Sequence, residues 1–188
     1  MKPIILTIAS SLSAKSRSTA MAHHAHSIMA ERGDVDAQFV DLACIDIGIY
    51  PRSENDPAVN LLAEQFERSD GFVLATPVYN WHAGANLENF LHSVLDPAAA
   101  RRYRPFVILG GAGSSLSQLA LDGLGRTMLS EIHGLQVGPP IIASGAESDS
   151  GAGELSDDLK IRIARAIGVL ADHAIAAKSR ISDPVGVA

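Results

Sequence analysis

The residues with the densest chemistry in this chain are Ser10-Ser11-Leu12-Ser13-Ala14-Lys15-Ser16-Arg17-Ser18-Thr19. They follow the apolar run Ile4 to Ala9 and precede a segment in which Met21, Ala25, Ile28 and Met29 fall on one helical face. The first turn of a helix leaves backbone N–H groups without intrahelical partners and carries a partial positive charge, so it attracts anions. Ser11, Ser13, Ser16, Ser18 and Thr19 add short donors there, while Lys15 and Arg17 add formal charge. Helix capping accounts for one serine, at 16 or 18. It does not account for five hydroxyls and two cations between Ser11 and Thr19, so the stretch reads as a phosphate site. Neither a Walker A sequence nor the dinucleotide-binding glycine pattern is present, which argues against a nucleoside triphosphate.

Two further segments have the right character to complete such a site. Thr76-Pro77-Val78-Tyr79-Asn80-Trp81-His82-Ala83-Gly84 combines a rigid proline, two aromatics and an amide, and reads as a loop. Its N–H groups suit the polar edge of a planar heterocycle, and Tyr79 or Trp81 suits stacking on one. The alternative for Trp81 is a ring folded into the core. Gly110-Gly111-Ala112-Gly113 has no side chain larger than a methyl group, which permits close approach of a ligand to backbone and leaves one ligand face uncovered. A tight strand-to-helix turn would use the same residues.

These segments need a scaffold, and the chain alternates strand and helix patterns throughout. Apolar runs at Ile4 to Ala9, Val35 to Leu42, Gly71 to Ala75, Phe106 to Leu109 and Ile141 to Ala143 predict five strands. Between them lie amphipathic segments. The first ends at Gly33-Asp34; the second opens at Pro57 and carries Val59, Leu62, Ala63 and Phe66. A third carries Leu87, Phe90, Leu91 and Val94 up to Asp96-Pro97, a fourth spans Ser115 to His133, and the last carries Leu155, Leu159, Ile163, Ile167 and Leu170. Near-continuous apolar strands separated by amphipathic helices imply a doubly wound α/β fold, a five-stranded parallel sheet of order 2-1-3-4-5 with helices on both faces. Ligands in such sheets bind beyond the carboxyl ends of the strands where the strand order reverses. The three segments above all lie at that edge. One domain is expected over residues 1–179, with a loose tail from 180 to 188 and a polar connection from Ser144 to Gly153.

Composition narrows the partners. With 188 residues, 47% of them hydrophobic, the chain can build a full core. A formal net charge of -6 argues against nucleic acid or an anionic membrane as partner, so an anionic ligand must be held by local donors. The single cysteine, Cys44, excludes an intrachain disulfide and is expected to be a small buried hydrophobe. The apolar run near the start is too short to span a membrane and makes a poor signal peptide, which points to a cytoplasmic protein. His23, His24 and His26 lie in the first helix, pointing outward, and a metal site there would need another ligand from elsewhere.

The three segments together resemble the flavodoxin-like NAD(P)H-dependent FMN reductases. Ser10 to Ser18 is similar to the family pattern G-S-x-R-x-x-S-x-N and closer still to the S-R-S-S variant in FMN reductases of two-component sulfonate monooxygenase systems. Thr76 to Asn80 resembles T-P-E/V-Y-N, and Leu109 to Gly113 the glycine-rich third loop. The resemblance implies FMN as cofactor and NADPH or NADH as hydride donor. It implies that Ser11, Ser16, Arg17 and Ser18 hold the phosphate, with Ser13 and Lys15 added by their own donors and charge. Pro77, Val78, Tyr79 and Asn80 would face the isoalloxazine, Trp81 joining them as a candidate for stacking, with Gly111, Ala112 and Gly113 beside it. Ser10 replaces the family's glycine and Ser13 its usual arginine, and the second change removes a charge-assisted bond worth roughly 1.5 to 3 kcal/mol. Unless Lys15 or Arg17 substitutes for it, that weakens the hold on FMN and fits an enzyme that releases reduced flavin, with a small acceptor or a flavin-dependent monooxygenase as the candidate recipients. Hydride transfer needs positioning rather than an acid or base, so no catalytic side chain is expected. Tyr50-Pro51 resembles an aromatic-proline loop that reaches a partner subunit, which with the apolar helices implies a homodimer or homotetramer. Two alternatives stand beside this reading: a flavodoxin-type electron carrier, disfavoured by the absence of aromatics from Gly110 to Gly113, and a non-redox phosphate-binding α/β domain.

Overall fold

The computed structural model describes residues 1–49, 56–95, 103–145 and 154–182. Four parallel strands form the centre: β1 (Ile4–Ala9), β2 (Asp36–Asp41), β3 (Gly71–Tyr79) and, after the two-residue β4 (His82–Ala83), β5 (Arg104–Gly111). Two short strands, β6 (Gly134–Gln136) and β7 (Ile141–Ala143), both run parallel to β5 on its far side. The order β2-β1-β3-β5-β6 is the doubly wound arrangement expected, with one difference. The fifth position is filled by two pieces, because Pro139 and Pro140 have no N–H to give the ladder and Gly138 turns the chain at φ 99°.

Strand periodicity sorts the core into two layers. Ile5, Ala9, Val73, Ala75, Val107 and Leu109 face one side, where α1 (Arg17–Arg32) and α5 (Asp157–Ser182) bury Met21, Ala25, Met29, Leu159, Ile163, Ile167 and Leu170. Leu6, Ile8, Phe72, Leu74, Phe106 and Ile108 face the other, against α2 (Pro57–Arg68), α3 (Ala85–Val94) and α4 (Gln118–Ile132). Each large side chain removed from water contributes about 1.5 to 3 kcal/mol. Helix ends follow local chemistry. The Asp56 carboxylate accepts from the amides of Ala58 and Val59 with Pro57 at the first helical position, and Gly33 ends α1 in the left-handed region at φ 71°.

Several expectations change. Strand β3 runs on to Tyr79 and β5 to Gly111, so Thr76–Tyr79 and Gly110–Gly111 are strand, paired as Thr76↔Gly110 and Pro77↔Gly111. Helix α4 starts at Gln118 after a 3-10 turn, Ser115–Ser117, in which the Ser114 hydroxyl accepts from the Leu116 amide. Cys44 is exposed, because it closes a 3-10 turn at the sheet edge after Asp41 instead of entering the core. His26 is half-buried rather than outward, its ring edge-on to Phe39, while His23 stacks on the same ring. Helix α5 continues past 179 to Ser182. Tyr50-Pro51, Asp96-Pro97, most of the connection after Ser144 and residues 183–188 lie outside the described residues. No helix among the described residues is long and apolar enough to cross a membrane, and none of their His, Cys, Asp and Glu side chains form a metal-binding group.

Candidate functional site

At the carboxyl edge of the sheet a cavity of about 300 Å³ opens between β1, β3 and β5. Its walls are Ser11, Ser13, Lys15, Ser16, Arg17 and Ser18 from the first loop, Pro77, Val78 and Tyr79 from the end of β3, and Gly111, Ala112 and Gly113 beyond β5. Of the residues expected there, Asn80 and Trp81 stand outside the lining. They form the turn between β3 and β4, where Val78 pairs Ala83 and Tyr79 pairs His82. Trp81 is 59% exposed, so its ring is not in the core.

The first loop is a chain of short local bonds. The Ser11 hydroxyl oxygen accepts from the Ser13 amide at 3.2 Å, and that of Ser13 accepts from the Lys15 amide at 3.3 Å. Ser16 is the N-cap of α1: its oxygen accepts from the Thr19 amide at 3.2 Å and lies 2.9 Å from the Ser18 hydroxyl. Capping and anion binding are therefore compatible in one loop, since a hydroxyl that accepts keeps its own O–H to donate. The amides of Arg17 and Ser18, in the first helical turn, have no carbonyl to reach within the helix. Ser10 takes no part in the cavity. It is buried, and both its amide and its hydroxyl donate to the Ala75 carbonyl at 3.0 Å, clipping β1 to β3. A serine in place of glycine is thus accommodated by the sheet.

Two long-range contacts hold the loop in position, and neither was legible from spacing. Arg17 donates from Nη1 to the Ala112 carbonyl at 3.2 Å, joining the first loop to the third, 95 residues away. The Asn86 side-chain amide donates to the Ser10 carbonyl at 3.4 Å. Below the hairpin, the Thr76 hydroxyl accepts from the Gly84 amide at 2.9 Å and donates to the Pro77 carbonyl at 3.1 Å. Among the described residues the cavity wall contains Lys15 and Arg17 and no acidic side chain, a local positive site on a chain of net charge -6.

The glycines do three different jobs. A Cβ on Gly110 would fall 2.5 Å from Ile142 Cδ1 and 2.7 Å from Leu121 Cδ1, so that glycine serves core packing. A Cβ on Gly111 would sit 3.0 Å from the Ser18 amide nitrogen and 3.4 Å from Arg17 Cβ, in the space before the helix terminus. Only Gly113 of the three faces open space, with nothing within 4 Å. Gly113 borders open space, while Gly111 keeps clear the space in front of the Ser18 amide.

The family model for NADPH-dependent FMN reductases matches residues 3–149. This chain belongs to that family. Among solved structures, an NADH:FMN oxidoreductase in its apo form superposes with a TM-score of 0.77 at 20% identity, over 92% of this chain and 90% of that one. An oxidoreductase from Corynebacterium diphtheriae gives 0.73 at 22% identity, covering 93% and 97%. The flavoenzyme NAD(P)H:(acceptor) oxidoreductase of Paracoccus denitrificans gives 0.72 at 16%, covering 94% and 99%. These likenesses speak to the fold. No curated protein matches the chain in sequence. As an FMN reductase the protein is a flavin oxidoreductase that takes electrons from NAD(P)H. The cavity suits FMN: unpartnered helix amides beside two cations meet a phosphate, and the space a Gly111 side chain would fill is left clear in front of them.

Proposed function

We propose that the cavity at the carboxyl edge is the FMN site and that this reductase holds its flavin loosely enough to release it in reduced form. The observation that carries the reading is the convergence on one cavity of the α1 N-terminus, Lys15, Arg17 and the clear face of Gly111. In this reading the amides of Arg17 and Ser18 and the hydroxyls of Ser11, Ser13, Ser16 and Ser18 bind the phosphate, with Lys15 supplying charge. Pro77, Val78 and Tyr79 bound the ring edge, and Gly111, Ala112 and Gly113 the opposite wall. FMN, when bound, supplies the hydride-accepting ring, and the chain's own task is to orient it and leave one face open. Arg17 commits Nη1 to the Ala112 carbonyl, and Ser13 stands where the family pattern it resembles has arginine, so the phosphate meets two cations, one of them partly tied, with no third. That favours release over retention. Flavin fluorescence titration of the wild type against Lys15→Ala tests the site: a weakening of about threefold to tenfold is expected, and unchanged affinity sinks the assignment.

The same reading makes the protein a cytoplasmic homodimer or homotetramer that passes reduced flavin to a small acceptor or to a flavin-dependent monooxygenase. Exposed Leu119 and Leu129 on α4 and Leu61 on α2 are apolar surface that a second copy would cover. Light scattering at micromolar concentration decides this, and an active monomer would exclude it.

A further inference from the structure

Trp81 breaks a local rule while more than half exposed. Both central residues of the β3–β4 turn have positive φ, 49° at Asn80 and 66° at Trp81. Hairpins of this kind favour Asn followed by Gly, because Asn tolerates the left-handed region and Gly has no Cβ to clash. Asn80 obeys that preference; an indole at the next position does not. A strained residue ordinarily persists because its surroundings over-determine it. Trp81 is instead 59% exposed, and among the described residues its ring makes no aromatic contact. The same hairpin carries Tyr79, 62% exposed and in the cavity wall. One ring lines the cleft, and the other stands just beyond it.

We propose that Trp81 is a specificity-determining platform for the second planar ring that must reach the flavin, either the nicotinamide or a planar aromatic acceptor such as a quinone. This rests on FMN occupying the cleft. Flavin turnover brings two planar partners in succession to one ring system. Trp81 stands outside the cavity lining and 59% exposed, where it can meet a ring arriving from solvent. Indole offers a large π face and loses little rotamer freedom when it stacks. Placing it in the left-handed region at a tight turn projects it from the sheet edge, where glycine would project nothing.

Trp81 is the sole tryptophan of the chain, so its emission reports on that position alone. FMN-loaded protein is titrated with oxidised NADP and, separately, with a simple naphthoquinone, following tryptophan fluorescence. Steady-state kinetics and thermal midpoints are measured for the wild type, Trp81→Gly and Trp81→Phe. Saturable quenching by one of the two rings is expected. Trp81→Gly should raise KM for that same ring about fivefold or more, with Trp81→Phe recovering most of the loss. Its FMN dissociation constant should stay within about twofold, and its thermal midpoint should hold or rise because strain is relieved. A rise in the nicotinamide KM assigns the platform to the donor, and a rise in the quinone KM assigns it to the acceptor. Unchanged KM for both overturns the proposal. So does weakened FMN binding, which would put Trp81 in the flavin's own site, or a midpoint lower by more than about 3 °C, which would make the ring a packing residue. A wild type that binds no FMN in the same titration overturns the site assignment itself.

Discussion

The two ends of the sheet treat polar groups in opposite ways. At the amino edge they are locked to one another. Buried Asp70 accepts from Lys178 Nζ at 2.6 Å and from the Ile4 amide at 2.8 Å, while its own amide donates to the Ile4 carbonyl at 2.7 Å. Arg104, 2% exposed, donates to the Phe66 carbonyl at 2.9 Å with its guanidinium 5.2 and 5.0 Å from the Phe66 and Phe72 ring centres. At the carboxyl edge the serine oxygens bond amides within three residues, and donors are left toward the cavity. One edge buries its polar groups against one another, while the other leaves serine hydroxyls and Lys15 lining a cavity. Stability and flavin affinity should therefore respond to different residues.

The sharpest separation is Asp70→Ala. It removes a buried acceptor shared by Lys178 and the Ile4 amide, so urea unfolding should show a loss of about 3 kcal/mol at unchanged m-value. Flavin affinity of the folded protein should not move, and a large change in it would dissolve the division between the edges.

Gly111→Val should act the other way. Its side chain enters the space before the Ser18 amide, and FMN binding should weaken at least about tenfold with a smaller loss of stability. Gly113→Trp, pointing into open space, should slow nicotinamide oxidation in stopped-flow while FMN affinity stays within about twofold. If the two glycines exchange these effects, the division of labour within the third loop is wrong.

Arg17→Ala removes both a cation and the tie to Ala112, and should weaken FMN about fivefold, less so at high salt. The smallest effect is titration of His26, on α1 away from both edges. Burial first, and the nearby His23 charge second, lower its pKa from 6.5. The unfolded chain then binds the proton more readily, so stability is present above pH 6.5 and is lost as pH falls toward the lowered folded value. The thermal midpoint of His26→Gln should fall less than that of the wild type over that window.

Much of this architecture is legible in the chain because it is local. Met21, Ala25 and Met29 share a face through helical period, and Ile5 and Leu6 point to opposite layers through strand period. Ser16 caps α1 because the cap is three residues from the amide it receives. Where the reading departed from the structure, a distant group intervened. Thr76 to Tyr79 looked like loop because of Pro77, yet a proline at the end of a strand leaves the pairing with Gly111 intact. Cys44 reads as core by residue type and is exposed because the chain leaves the sheet at Asp41.

The order of hydroxyls, cations, apolar runs and glycines determined by itself that this is a doubly wound sheet whose first loop gathers serines and two cations at a helix N-terminus, since those signals act within a few residues along the chain. Tertiary structure alone decided that Gly111 clears the helix terminus while Gly113 faces open space, that Arg17 ties the first loop to Ala112, and that Trp81 stands exposed in the β3–β4 turn. Those outcomes depend on which strands become neighbours, and contacts between residues 95 apart exist only once the sheet has assembled.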